Sequence, residues 1–470
     1  MWATLTTLFV IALVGVTIYL AVLAAVTART PQGAVGWVVF LLAAPFLAVP
    51  AYLILGQHRY RGYVVARREN KQFIQGLREY AVDKIAGPEC TTIALGPFEY
   101  CAVLPTMRGN GAELLIDGQA TFDAIFAAID AAESYVLVQF YTIRDDGLGK
   151  ALQAQLIAAA HRGVRVLLMT DGVGSIRLPE SYSEALRAAG VEVIDRISAR
   201  GPKFRFQINF RNHRKAVIVD GVTGFIGGLN VGDEYMGRDP GFGPWRDTHA
   251  RLSGPVVSQL QLIFLEDWHW VTGQTLLESL NWNAPHSPDD VPGLIVATGP
   301  GDASETGSLM FFAAISAARH RIWMASPYFV PDIDIVTALR AAALRGVDVR
   351  ILVPDLADHR IPWLAAFAYF DDITEAGVRV FRYTAGFMHQ KVFVVDDELA
   401  AVGTTNLDNR SFRLNFEAMA LFFDPKVAAA FETMLLKDFE RSFELTRTLD
   451  RQPAHIRYGA PLARLFSPLL

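Results

Sequence analysis

Two short stretches of the chain carry the same reactive set. "HRKAVIVDGVTGFIGGLN" begins at His213, and "HQKVFVVDDELAAVGTTN" begins at His389. Each supplies an imidazole, an ammonium group two residues later and a carboxamide after a glycine-containing return: His213, Lys215 and Asn230, then His389, Lys391 and Asn406. Near neutral pH an imidazole serves as nucleophile or general acid/base. Lysine and asparagine donate hydrogen bonds to the non-bridging oxygens of a phosphate diester, whose charge builds up in the transition state. One copy has one histidine. Two facing copies have one to attack and one to protonate the leaving group, which gives the duplication a chemical reason.

The elements that must hold these groups follow from the same stretches. Read as a strand, "HRKAVIVD" puts His213 and Lys215 on one face and Arg214 on the other. The β-branched run Val217, Ile218, Val219 fits a buried strand, and "DG" at Asp220 is a hairpin turn leading into the return strand "TGFIGG". Asn230 lies just past that return, where it can swing back toward His213 and Lys215. Asp220 and Asp396 complete the two repeated sets and count with them as candidate catalytic residues, but they sit at the opposite strand parity from the histidine and lysine. They read as turn and interface residues.

Further elements recur in order. "YVLVQFYTI" and "RIWMASPYFV" are strand-like runs around Tyr141 and Tyr328, and "RGVRVLLMTD" from Arg162 is echoed by "RGVDVRILVPD" from Arg345. Each Arg-Gly-Val run follows an alanine-rich helical pattern. Helical patterns alternating with short β-branched runs mean α/β units, here in two similar halves. The fold class is therefore α/β, with two pseudo-twofold-related domains and the active site between them.

The pattern His-x-Lys, four residues, Asp, six residues, Gly-Gly/Ser/Thr-x-Asn, present twice, resembles the phospholipase D superfamily. His213, Lys215, Asp220, Gly227 and Asn230 match it, as do His389, Lys391, Asp396, Gly403 and Asn406. "PWRDTH" at Pro244, "SPYFVPD" at Ser326, "TTNLDNRSFRLNFE" at Thr404 and "RLFSPLL" at the C-terminus are similar to the bacterial cardiolipin synthase branch. The resemblance implies a covalent phosphohistidine intermediate, no metal and no other cofactor. It also implies carboxylates that orient the histidines, Asp247 for His213 and Glu417 for His389. The implied reaction is phosphatidyl transfer between two phosphatidylglycerol molecules, giving cardiolipin and glycerol. The N-terminal His213 would attack, and His389 would act as acid and base. Two sequence features bear on that choice. The polar run Asn406, Asp408, Asn409, Arg410 and Ser411 would hold the glycerol beside His389, and the Gly227–Gly228 turn would let the phosphate approach His213. Hydrolysis of phospholipids, or transfer to another alcohol such as phosphatidylethanolamine, uses the same residues.

The rest of the chain bounds the setting. It has 470 residues, 52% of them hydrophobic, and a net charge of −5, which gives no basic field for nucleic acid. Cys90 and Cys101 lack zinc-type spacing and are either core residues or one bonded pair. Leu5–Val26 and Ala34–Gly56 are each long and apolar enough to cross a bilayer, so a two-helix transmembrane hairpin is expected over 1–57. Arg59, Arg61, Arg67, Arg68 and Lys71 follow the second stretch, against Arg29 alone between the two. That asymmetry places the following chain in the cytoplasm of a bacterial inner-membrane protein and attracts anionic headgroups. The expected organisation continues with a basic juxtamembrane region over 58–110, a first domain over 111–290 and a second over 291–470. The expected partners are the bilayer, anionic phospholipids and a second copy of the chain in a homodimer. "RIPWLAAFAYF" (Arg360 to Phe370) and "RLFSPLL" read either as core or as a lipid path from the bilayer.

Overall fold

The computed structural model describes residues 1–28, 30–56, 84–195, 211–302 and 304–470. The basic cluster Arg59–Lys71 and Arg29 lie outside the described residues. The chain separates into two compact units, with the N-terminal helices in one and the α/β body in the other.

In the first unit, α1 (Trp2–Thr27) is long and apolar enough to cross a membrane. The second apolar stretch is not one helix, as expected, but two: α2 (Pro31–Ala43) and α3 (Pro45–Leu55). The reason is Pro45. Proline disfavours helical backbone at the residue before it, and Ala44 has left the helix at φ −141°, ψ 61°. Thr30 starts α2, its hydroxyl accepting the Gly33 N–H at 3.1 Å, with Pro31 in the first turn. Leu20, Ala24, Leu41, Ala48 and Tyr52 pack the three helices together, while Phe9, Ile11 and Tyr19 are exposed.

The body is built around one long sheet. The first half contributes β1 (Met107–Ile116), β2 (Tyr135–Phe140), β3 (Arg165–Thr170), β4 (Glu192–Ile194), β5 (Arg211–Asn212), β6 (Ala216–Val219), β7 (Thr223–Gly227), β8 (Trp245–Arg246) and β9 (Thr248–Ser253). The second contributes β10 (Val291–Thr298), β11 (Arg321–Ala325), β12 (Phe329–Val330), β13 (Asp348–Pro354), β14 (Arg379–Tyr383), β15 (Phe387–Met388), β16 (Val392–Val395), β17 (Leu399–Gly403), β18 (Leu407–Asp408), β19 (Asn415–Phe422) and β20 (Ser442–Glu444). The strand order is β4-β3-β2-β6-β7-β9-β1 in one half and β10-β19-β17-β16-β11-β13-β14 in the other, with β20 on the far edge. The second series is the first run backwards, so the halves are related by a pseudo-twofold axis between β1 and β10, which pair antiparallel.

Each half joins its parallel strands through helices, Gly147–His161 between β2 and β3 and Ile333–Leu344 between β11 and β13. Helices cover both sheet faces, which is why β2 is apolar at nearly every position. Val136 and Val138 face one core and Tyr135 and Leu137 the other. Phe98 and Cys101, expected in the juxtamembrane region, are buried in that second core, and both cysteines are free thiols.

Asp220 and Asp396 are the hairpin corners after β6 and β16. Both adopt left-handed backbone, at φ 53° and 49°. Their carboxylates offset that strain by gathering backbone donors. Asp220 accepts the N–H groups of Glu133, Ser134 and Tyr135 at 2.8–2.9 Å, and Asp396 accepts those of Arg319, His320 and Arg321 at 2.8–3.0 Å. They stand about 20 Å of extended chain away from the histidines. Their turn reading matches this geometry; a place among the reacting groups, or at the interface between halves, does not.

Candidate active site

The two histidines are placed by two very short parallel pairings that cross between the halves. β5 pairs with the start of β19, Arg211 opposite Asn415 and Asn212 opposite Phe416. The next residue on each strand is His213 on one and Glu417 on the other, and the His213 N–H donates to Phe416 O at 2.9 Å. β15 pairs in the same way with β8, Phe387 opposite Trp245 and Met388 opposite Arg246. There the next residues are His389 and Asp247, with the His389 N–H on Arg246 O at 2.8 Å.

The side chains follow. His213 Nδ1 lies 2.9 Å from Glu417 Oε2, and His389 Nδ1 lies 2.8 Å from Asp247 Oδ2. Asp247 and Glu417 thus hold histidines, but with the partners exchanged from the sequence expectation: each histidine takes its carboxylate from the other half. Glu417 is itself fixed by Ser411 Oγ at 3.1 Å and Asn415 Nδ2 at 3.0 Å. This puts Ser411, the last residue of the polar run, against the Glu417–His213 pair, while the charge of Asp408 acts on Lys391 beside His389.

Strand parity holds at the intervening residues. Lys215 and Lys391 lie on the histidine side, each ammonium donating to the carbonyl of its own histidine, at 2.6 and 2.5 Å. Arg214 turns the opposite way and is buried. It donates to Asp267 Oδ1 at 2.6 Å and to Glu417 O at 3.1 Å. Asp438 has the equivalent place in the second half, where it takes Arg246 in two hydrogen bonds of 2.8 Å and Gln390 Nε2 at 2.9 Å. Arg246 in turn donates to Asp247 O at 2.6 Å. So a buried helix aspartate holds an arginine that clamps the carbonyl of each histidine-orienting acid. Sequence reasoning put Arg214 on the opposite face without its role, and missed the other three residues. The only available signal was a charged residue at a strand position that must face the core.

Asn230 is buried, its oxygen accepting Thr142 N–H at 3.1 Å and its nitrogen donating to Tyr235 Oη at 3.3 Å. Asn406 is also buried, and its carboxamide oxygen has no partner among the described residues. Aromatic rings wall the site: Tyr141 lies 5.0 Å from the His213 ring, and Trp245 lies 5.4 Å from that of His389.

The glycine pair has a different use from the expected one. A Cβ on Gly228 would lie 2.0 Å from Asp247 Oδ1, and one on Gly227 would lie 2.4 Å from His249 Nδ1. The space belongs to the carboxylate that holds His389, not to an approaching phosphate. Thr404 occupies the Gly228 position in the second half, its hydroxyl bonded to the Ala418 backbone. Gly228→Ala is expected to push Asp247 off His389 and lower kcat by roughly 10²-fold, the scale seen when a catalytic group is displaced by about an ångström. Turnover within twofold of the parent by a folded Gly228→Ala protein would remove that role.

Burial sets the protonation states. It pushes both imidazoles below their ordinary value, His389 strongly, with Glu417 opposing the shift at His213. Both are therefore neutral at rest, with Nδ1 donating to its carboxylate and Nε2 left as the basic atom. Burial raises the Asp247 carboxyl. Burial also raises Glu417, but His213 and Lys215 outweigh it, and the net shift is downward, so Glu417 stays ionised. Burial lowers Lys215 to about 7 and Lys391 to about 8, and the charge of Lys391 further depresses Lys215. A site with two such lysines is built to receive an anion.

The comparisons with known proteins agree with this geometry. The family described as "Cardiolipin synthase, PLD-like domain" matches residues 125–242 and 311–439, one segment in each half. A cardiolipin synthase A of Pseudomonas putida is 47% identical over 452 residues, covering 94% of both chains. One of Pseudomonas fluorescens is 45% identical over 458 residues, covering 96% of this chain and 95% of its own. Among solved structures, a phosphatidylserine synthase of Haemophilus influenzae superposes with a TM-score of 0.61 at 13% identity, over 80% of this chain and 99% of that one, a likeness of fold. With its repeated PLD-like halves and its likeness to these relatives over nearly its whole length, the chain belongs to the cardiolipin synthase family of phospholipase D-like enzymes.

Proposed function

We propose that the protein is a membrane-bound phosphatidyltransferase that joins two phosphatidylglycerol molecules into cardiolipin and releases glycerol. The observation that carries this reading is the pair of crossed histidine–carboxylate contacts, each beside a buried lysine, in a chain so close to cardiolipin synthases. The anionic diester draws a proton onto His389 Nε2 as it binds; His213 Nε2 then bonds to phosphorus as the bond from phosphorus to the glycerol oxygen breaks, and His389 gives that oxygen the proton. A second phosphatidylglycerol then gives its hydroxyl proton to His389, and its oxygen displaces His213. One diester forms for each one broken. Lys215, Lys391, Asn230 and Asn406 hold the non-bridging oxygens. Ionised Glu417 suits the nucleophile, because phosphorylated imidazole keeps its Nδ1 proton and gains positive charge. The low basicity of His389 makes its imidazolium a strong acid toward the leaving alcohol. The glycine turn no longer bears on this assignment.

The working division of the body is 111–290 and 291–470. Residues 1–57 anchor it in the bacterial inner membrane, with α1 as one crossing and kinked α2–α3 as the return. Both chain ends and the catalytic body are cytoplasmic, and Thr30–Gly33 lies outside. A cysteine introduced at Arg67 is expected to resist an impermeant thiol reagent in intact cells, and ready labelling would overturn the orientation. Purified full-length protein with labelled phosphatidylglycerol in mixed micelles is expected to yield cardiolipin and free glycerol in equal amounts. Phosphatidic acid as the main product would make the enzyme a hydrolase instead.

The lysines give the reading a pH signature. Below pH 7 both carry charge, and that charge is lost as pH rises through about 7 and about 8. A bound phosphate diester favours the charged lysines, so it raises their pKa and draws in protons. Linkage then requires KM for phosphatidylglycerol to climb between pH 7 and 9, by up to about tenfold per pH unit for each proton taken up. A KM independent of pH over that range would contradict the assignment of the lysines to the phosphate.

A further inference from the structure

The helix Ala454–Arg464 is apolar on two sides. Ile456, Ala460 and Ala463 are buried, and the helix packs on Arg360–Thr374, where Leu364 reaches to within 3.5 Å of an added Gly459 Cβ. On the opposite face Tyr458, Leu462 and Leu465, spaced i, i+4, i+7, are 62%, 64% and 75% exposed, and Phe466 beside them is 53% exposed. Single exposed apolar residues are ordinary, but a contiguous stripe of four large ones is not. Arg457 and Arg464 flank the stripe between the two faces, and the segment 451–470 carries three arginines and no acidic residue in a chain of net charge −5. An apolar stripe edged by arginines on an acid-free segment is complementary to an anionic lipid surface: side chains enter the acyl boundary while guanidinium groups stay at the headgroups.

The stripe leads directly to the site wall. Ser467 Oγ accepts the Tyr369 hydroxyl at 2.8 Å, and Leu469 O accepts Arg410 Nη1 at 3.2 Å. Arg410 adjoins Ser411, which holds Glu417. We infer that the helix Ala454–Arg464, with Leu465 and Phe466, is a membrane-docking element of the catalytic body. It seats that body on an anionic bilayer so that lipid headgroups reach the histidines without leaving the interface. This segment joins the second of the two apolar stretches left open between core and lipid path.

The test uses the full-length chain in phosphatidylglycerol-containing nanodiscs, with Cys90→Ser removing the accessible thiol. An environment-sensitive fluorophore is attached at Leu465→Cys, or at Glu184→Cys on an exposed helix elsewhere in the body. Lipid-borne nitroxide is expected to quench the label at 465 several-fold more than the label at 184. Equal quenching would overturn the docking, as would protection of the 465 label that disappears when two copies cannot share a disc, which would mean that a second chain covers the stripe. The second arm is kinetic and rests on the proposed lipid substrate, whereas the quenching arm needs no activity. Leu462→Glu with Leu465→Glu is expected to raise KM for vesicle phosphatidylglycerol about tenfold and to leave turnover of monomeric short-chain phosphatidylglycerol unchanged. Equal losses on both substrates would indicate a folding role and contradict the inference.

Discussion

Replacing either His213 or His389 by alanine is expected to abolish cardiolipin formation, with turnover falling by roughly four orders of magnitude or more, while the protein stays folded. Each imidazole has a separate task, one forming the bond to phosphorus and the other moving the proton, so neither can cover for the other. Both side chains lie at the cleft between the halves, each held by one carboxylate, and neither supports the two core clusters. Losing one therefore removes a reacting group without opening the core. Product assays on variants with unchanged thermal transitions provide the check. Cardiolipin from either folded variant at more than about a hundredth of the parent rate would refute the division of labour.

Exchanging the carboxylates for amides is expected to have the next largest effect, roughly 10²- to 10⁴-fold in kcat, because an amide presents the wrong partner to Nδ1 and misorients the ring. The crossed geometry makes this prediction specific. Glu417→Gln should perturb the titration of His213 and leave that of His389 nearly in place, and Asp247→Asn should do the reverse. His213 loses a partner that opposes its downward shift, so its pKa should fall further when Glu417 is neutralised. Imidazole proton resonances followed over pH in the two variants would decide it. A larger response from His389 than from His213 in Glu417→Gln would contradict the pairing.

The chemistry of this protein was legible because a duplicated set of residue types at fixed spacing is visible without any fold. The alternation that put His213 and Lys215 together, and Arg214 apart, survived because strand periodicity is local. The pseudo-twofold sheet followed from repeated strand and helix patterns in the same order. What was not legible depends on contacts between distant segments. The carboxylate exchange is made by β5 with β19 and β8 with β15, two-residue pairings too short to leave a periodic signal. The place of Ser411 against Glu417 has the same origin, since the run leads into β19. Gly227 and Gly228 signalled close approach correctly, but sequence cannot say what approaches, and it is Asp247 and His249. The kink at Ala44 was signalled by Pro45 and outweighed by the length of the apolar run. The buried pairs Arg214–Asp267 and Arg246–Asp438 looked like ordinary charges because their partners lie 53 and 192 residues away.

The central claim is a covalent phosphatidyl-histidine formed between the halves, and one measurement meets it directly. Full-length His389→Asn protein, lacking the acid/base, is mixed with a short-chain phosphatidyl donor whose leaving group needs no proton, quenched in mild alkali and digested. Mass spectrometry is expected to find the phosphatidyl group on the peptide containing His213, and to find none in the His213→Asn protein. A donor turned over with no adduct on any histidine, or with the adduct on the His389 peptide of the parent enzyme, would contradict the account.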